Sequence, residues 1–163
     1  SIQIIHIGGL PLVTSYSSMQ TPLKFVSSHR ATFHQLDPYG HLNTLFYLEY
    51  FLTHRLIGMR EALGLDMQAI ADLPFAFINR KVELEFFHPV TADRPFHISS
   101  WISNYNDFTC RVECEMLDDE NRRLSRCGFY TVCVDKETQK LTRWPDGFMA
   151  RFLDAVARES STG

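Results

Sequence analysis

The sequence has no run of about 20 apolar residues, the length that a membrane-spanning helix needs. Its first basic residue is Lys24, so no basic stretch precedes the apolar N-terminal patch as in a secretory signal. These two absences set the expectation of a cytoplasmic protein with no membrane partner. Positive charge is not in excess either. The net charge is −3, which gives a polyanion nothing to bind, so no nucleic acid partner is expected. Cysteines are few: Cys110, Cys114, Cys127 and Cys133, with no C-x-x-C pair to suggest a zinc or redox site. On a strand over 108–117, Cys110 and Cys114 share a face about 13 Å apart, too far to bridge. All four read as small buried apolar side chains in a reducing compartment. His34, Asp37 and His41 match no metal-ligand spacing, and no metal is expected. Internal repeats and low-complexity tracts are missing as well.

What is present is the material of one domain: 163 residues, 45% of them hydrophobic. Thirteen Phe imply a bulky core or an apolar pocket. Residues 1–26 form an N-terminal extension rich in Ser, Gly and Ile, with little periodicity. Two readings stand for it: translation starting at Met19 with 1–18 as an upstream addition, or a native arm that packs on a partner. Residues 28–35 read as a first strand, with Ala31 and Phe33 on one face and Arg30, Thr32 and His34 on the other. From Thr44 to Leu63 no proline occurs, and Leu45, Leu48, Leu52, Leu56, Met59 and Leu63 recur at helical spacing. Phe46, Tyr50 and Ile57 widen that stripe, so the helix is expected to be surrounded, with Asn43 or Thr44 capping its start and Gly64 ending it.

A short turn of helix over 66–72 follows. Then come four strand candidates: Lys81–Phe87, Phe96–Ile102, Phe108–Met116 and Leu124–Val134. In the first, Val82, Leu84 and Phe86 point inward, while Lys81, Glu83 and Glu85 point outward. The third alternates strictly, and the fourth is apolar on both faces, as a central strand is. Polar turns at 104–107 and 118–123 make the last strands an antiparallel meander. Pro145-Asp146 opens a last amphipathic helix with Phe148, Phe152, Leu153 and Val156. The division expected is therefore a body over 27–140 and a C-terminal helix and tail over 141–163. The class is α+β: a five-stranded antiparallel sheet wrapped around one long central helix.

The stretch with chemical content is Asp37-Pro38-Tyr39-Gly40-His41-Leu42-Asn43. It places a carboxylate, a tight turn, an imidazole and a cap amide at a helix start. Amides there lack intrahelical partners and carry the positive end of the helix dipole. A thioester carbonyl set on them would have its developing oxyanion stabilised. Gly40 leaves room for that approach. Asp37 could then attack the carbonyl or activate a water. The structural alternative makes Asp37 an Asx-turn residue, His41 a packing or orienting histidine, and Asn43 a helix cap.

The run Asp37-x-x-Gly40-His41-x-Asn43, with Tyr47-Leu48-Glu49-Tyr50-Phe51 and Arg55 after it, resembles the hot-dog thioesterases of the hydroxybenzoyl-CoA thioesterase-like superfamily. Arg80 to Phe86, Pro89 and Asp93 are similar to that family's second strand and following turn. The resemblance covers roughly 27–135. It implies an acyl-CoA thioesterase with Asp37 as the catalytic carboxylate and His41 and Asn43 beside it. It also implies a homodimer with sheets joined edge to edge, or a homotetramer, with acyl-CoA at the interface. No cofactor is implied beyond the coenzyme A of the substrate. Thr44 stands where that family commonly has a second Asn.

Gly40, Leu42, Tyr47 and Glu49 are the substrate-contact candidates at the helix start. Tyr47 reads as pocket wall or core. Glu49, if buried, needs a partner, and Arg55 is too far along the helix to be one. Arg80 and Lys81, with Arg122, Arg123 and Arg126, are phosphate contacts or a solvated face. Two other functions compete: an enoyl-thioester hydratase or dehydratase using His41 with Glu49 or Glu61, and a non-catalytic acyl-CoA-binding module.

Overall fold

A computed structural model describes residues 22–153. The readings of the Met19 start, of Val156 and of the C-terminal tail lie outside the described residues. Five strands form one antiparallel sheet: β1 (Phe25–Arg30), β2 (Phe75–Phe86), β3 (Pro95–Tyr105), β4 (Thr109–Asp118) and β5 (Arg123–Asp135). Their order across the sheet is β1-β3-β4-β5-β2. The meander β3-β4-β5 follows from its short polar turns. β1 and β2 flank it on opposite edges, and the long helix α1 (Thr44–Leu63) connects towards β2 through the short helix α2 (Met67–Asp72).

One face of the sheet covers α1. β4 contributes Cys110, Val112, Cys114 and Met116, all buried, as its alternation predicts. Their register partners on β3 and β5 include Ile98, Ser100, Ile102, Ser125, Cys127 and Phe129, also buried. The four cysteines are free and buried. Burial pushes their thiols up, to about 12 for Cys110, Cys114 and Cys127 and about 11 for Cys133, so they stay protonated and inert.

The helix bounds fall where the sequence sets them. Asn43 caps the start, its Oδ1 accepting from the Leu45 amide at 3.0 Å, and Gly64 closes the end in the left-handed region at φ 68°. The buried face is not the leucine stripe, however. Tyr47, Phe51, His54 and Gly58 are the buried residues of α1, while Leu45 is 81% exposed and Leu52 and Leu56 nearly 40%. Close approach decides this. A Cβ on Gly58 would stand 2.1 Å from the Phe25 ring, so the bare Gly58 is what lets this side of the helix close on β1.

Three further elements depart from expectation. β1 ends at Arg30 and a 3-10 turn over Phe33–Gln35 follows, leaving Phe33 92% exposed. The chain must leave the sheet there to reach the start of α1. β2 begins at Phe75, six residues earlier than its alternation shows. A bulge at Arg80, between Asn79 and Lys81, breaks the period and hides the first half. In the C-terminal part, the expected helix is, within the described residues, only a 3-10 turn over Met149–Phe152. Trp144 and Phe148 stack at 6.1 Å and meet Phe75 and Phe77 edge-on or tilted, an aromatic cluster that holds the segment against β2.

Candidate active site

The loop 36–43 is tied down at every step before α1. Leu36 and Leu42 form an isolated bridge, as do His41 and Thr91. The Leu42 amide donates to Val90 O at 2.8 Å and the Ala92 amide to Gly40 O at 3.1 Å. Inside the loop, Asp37 N donates to His41 O and Gly40 N to Asp37 O. Gly40 holds φ at 73°, and no neighbour lies where its Cβ would be, so the demand is conformational. Gln35, buried, links this loop to the helix. Its carbonyl accepts from the Asn43 amide, and its Oε1 accepts from the Thr32 amide and the Tyr50 hydroxyl. The sequence reading missed Gln35 and Tyr50, and only a Gln beside a turn could have signalled them.

Asp37 is half-buried. Its Oδ1 accepts from the amides of Tyr39 at 2.8 Å and His41 at 3.0 Å, so it does build an Asx turn. Its Oδ2 accepts no hydrogen bond from the described residues. The carboxylate lies near the first turn of α1. Tyr47 has its phenol held above the usual range mainly by burial, with the Asp37 charge adding to it and the bond from Val90 N opposing.

The amides at the helix start are largely committed. The Leu45 amide goes to Asn43 Oδ1, Phe46 to Asn43 O, Asn43 to Gln35 O and His41 to Asp37. From Tyr39 to Phe46, the Thr44 amide alone has no acceptor among the described residues. The expected set of open donors thus reduces to one, because the cap and the loop satisfy the rest.

The other candidates separate by location. Leu42 and Tyr47 are buried in the core, with Tyr47 edge-on to Phe86 at 4.9 Å. His41 is half-buried beside the Tyr39 ring, at 6.4 Å between centroids. Glu49 is exposed on α1. Glu61 lies about 25 Å further along the helix than Thr44, so it does not meet His41. Arg80 is exposed at the β2 bulge and has no ion pair among the described residues. Lys81 pairs with Glu83 at 2.5 Å and lies over the Tyr130 ring. Arg122, Arg123 and Arg126 pair with Asp118, Glu115 and Glu85.

The thioesterase-like superfamily model matches residues 31–152, most of the chain. The chain belongs to that superfamily. No curated protein matches the sequence. Among solved structures it is similar to YbaW from Escherichia coli, at 19% identity and TM-score 0.69, over 78% of this chain and 95% of that one. It is also similar to Slr0204, a 1,4-dihydroxy-2-naphthoyl-CoA thioesterase from Synechocystis, at 16% identity and TM-score 0.71, over 79% and 95%. A third, SAV2348 from Staphylococcus aureus in complex with CoA, matches at 12% identity and TM-score 0.73, over 89% of both chains. The fold is the hot-dog architecture that the sequence suggested, and the chain is a thioester hydrolase by family.

This thioesterase holds a second polar group, in the interior, that the sequence reading did not single out. His54 is fully buried between two serines, Nδ1 2.6 Å from Ser27 Oγ and Nε2 2.7 Å from Ser100 Oγ. Ser27 Oγ also meets His29 Nε2 at 2.6 Å, and Arg55 Nη1 donates to Ser100 Oγ at 3.0 Å. A consistent direction of donation runs along the line: Arg55 to Ser100, Ser100 to His54, His54 to Ser27, Ser27 to His29. Burial first, then the Arg55 and His29 charges, hold the His54 imidazole down to about 3, so it is neutral at ordinary pH. Beside this line lies a cavity of about 340 Å³ between the far half of α1 and the sheet. Asp37 does not line it.

Among the described residues, no three His, Cys, Asp or Glu side chains stand close enough to hold a metal ion. No described helix is long and apolar enough to cross a membrane.

Proposed function

We propose that this thioesterase hydrolyses an acyl-CoA with Asp37 as its reacting carboxylate. The observation that carries the reading is the division of labour within one side chain. Oδ1 is fixed by two loop amides, while Oδ2 is free at the start of α1, where one amide, Thr44 N–H, is also free. A thioester carbonyl accepting from Thr44 N–H would present its carbon to that carboxylate, and the positive helix end would stabilise the tetrahedral oxyanion. Asp37 either bonds to the carbonyl carbon or takes a proton from a water that does. In both routes the C–S bond breaks and CoA leaves as thiolate, to be protonated by solvent. A single turnover in ¹⁸O-labelled water separates them: base-assisted attack puts one labelled oxygen in the product, whereas attack by Asp37, with water then opening the anhydride at the Asp37 carbonyl, leaves both product oxygens unlabelled and the label in Asp37.

His41 borders the loop and orients it through its backbone bond to Asp37. Asn43 holds the cap, Gly40 gives the loop its left-handed turn, and Leu42 and Tyr47 anchor it in the core. The CoA phosphates go to Arg80, the unpaired cation on the exposed edge of β2, with Lys81 next to it. Two copies pair through that edge. β2 is 12 residues long with no strand of the described residues on its outer side, and Ile78, Val82 and Phe86 along it are exposed, a template that proteins ordinarily cover. Glu49, exposed in one copy, then faces the partner or the substrate. The likeness to a fold crystallised with CoA supports the choice of thiol.

A thiol-release assay over a panel of acyl-CoAs tests the reading. Asp37→Asn keeps an Oδ1 for the Tyr39 and His41 amides, so the loop persists. It should lower kcat by roughly 10²–10⁴-fold for every substrate. Turnover at the wild-type rate in a folded Asp37→Asn protein sinks the mechanism.

A further inference from the structure

α1 carries a cation into the interior where the described chain offers no anion to meet it. The Arg55 guanidinium lies 4.8 Å over the Phe25 ring, and its one hydrogen bond among the described residues goes to Ser100 Oγ. That leaves most of its five N–H donors without an acceptor there. None of the carboxylates in ion pairs reaches it. The thiols nearest it, Cys110 and Cys114, are pushed up to about 12 and stay neutral. His54 is neutral as well. Arg55 is half-buried, and the desolvation that its packing imposes draws its pKa down, with no carboxylate among the described residues to offset it.

Arg55 also lines the cavity beneath α1. The walls are apolar, with Leu52, Leu56 and Phe129 among them, and the polar groups are Arg55, Asn79 and Thr131. Thr131 Oγ1 donates to Asn79 Oδ1 at 2.8 Å, which leaves the Asn79 amide group to donate elsewhere. The cavity is therefore an apolar sleeve with a cluster of donors and one full positive charge. Arg55 stands 11 residues beyond Thr44, a rise of about 16 Å, and helical side chains lean back towards the N-terminus. A thioester at the start of α1 would reach the guanidinium with an acyl chain of medium length.

We infer that this cavity is the acyl pocket and that Arg55 selects acyl groups bearing a carboxylate at the end remote from the thioester. The assignment of an acyl chain rests on the hydrolase reading given above; the anion site does not. An apolar chain fills the sleeve, and its terminal carboxylate supplies the charge that no described residue brings to Arg55. A plain alkyl chain would fill the same walls and leave the cation bare.

Two measurements on the full chain test this. In the first, octanoyl-CoA and its ω-carboxy counterpart are compared in the thiol-release assay. Wild type should favour the ω-carboxy ester in kcat/KM by about tenfold or more. Arg55→Met should reverse that order, and Arg55→Lys should retain part of it. In the second, calorimetry compares octanoate with the uncharged octanol. Octanoate should bind more tightly to wild type, and that advantage should vanish in Arg55→Met. Should Arg55→Met not fold, the wild-type comparisons and Arg55→Lys decide. No preference for the ω-carboxy ester in wild type, or a preference that survives in Arg55→Met, overturns the proposal. Arg55-dependent octanoate binding without thiol release from any ester would refute the hydrolase reading and keep the anion site.

Discussion

Near its start α1 has a carboxylate, and eleven residues beyond Thr44 it carries a half-buried cation. The two groups are held by different means. Asp37 is fixed by backbone amides and the positive helix end, all of them local and all supplied by a loop of a few residues. Arg55 is set by contacts from β1, β3 and β4: the Phe25 ring, the Ser100 hydroxyl and the neutral sulfurs of Cys110 and Cys114. The first arrangement leaves one oxygen of Asp37 and the amide of Thr44 each without a partner among the described residues. The second leaves a charge facing a cavity. The Asp37 end is thus ordered by neighbours in sequence and the Arg55 end by strands far from it in sequence.

Asp37→Asn gives the largest effect and should act on all acyl groups alike, whereas Arg55→Met should change only which acyl group is preferred. If both variants shifted preference without stopping turnover, the two ends of the helix would share one role. Thr44→Pro is the next in size. Proline suits the first position of a helix, and Asn43 before it already has extended backbone, at ψ 138°. The substitution deletes the Thr44 amide, which has no acceptor among the described residues, and little else. Loss of kcat by roughly 10²–10³-fold with an unchanged melting temperature is expected. A rate within a factor of a few of wild type would move the oxyanion site away from the helix start.

His54 provides a stability measurement for the interior region. Its folded pKa, about 3, lies below the ordinary 6.5, so the unfolded chain binds a proton that the folded chain refuses. The stability linked to it is fully present above pH 6.5 and is lost as pH falls towards 3, in all on the order of a few kcal/mol. His54→Gln does not titrate, and denaturant unfolding of that variant between pH 6.5 and 3 should show a flatter loss than wild type. Parallel curves would mean the imidazole is not the acid-sensitive group. The smallest effect belongs to Gly58→Ala. Alanine gains about 1 kcal/mol in helix propensity but forces the Phe25 ring aside, for a net loss on the order of 1 kcal/mol. Combined with Phe25→Leu, the loss should shrink; simple additivity of the two would argue against the contact.

Legibility followed the range of the interactions. The bounds of α1, its Asn43 cap and Gly64 stop, and the alternation of β4 were readable because propensity, capping and period act within a few residues. The turn over 37–43 was readable for the same reason. Its open donors were overestimated, since Gln35 and Asn43 claim amides through bonds that no spacing reveals. The leucine stripe misled about the buried face, because Gly58 and His54, neither of them apolar signals, are what lets α1 approach β1. The first half of β2 escaped because one bulge residue, Arg80, reverses the alternation.

The amino-acid order by itself determined the helix, the meander and the turn that presents Asp37, since each is closed by hydrogen bonds between near neighbours. The tertiary structure alone decided which side of α1 is buried, where β1 and β2 join the sheet, and that Arg55 stands without a counter-ion among the described residues. Those outcomes depend on residues 27 to 75 positions apart meeting, and such meetings leave no period in the chain.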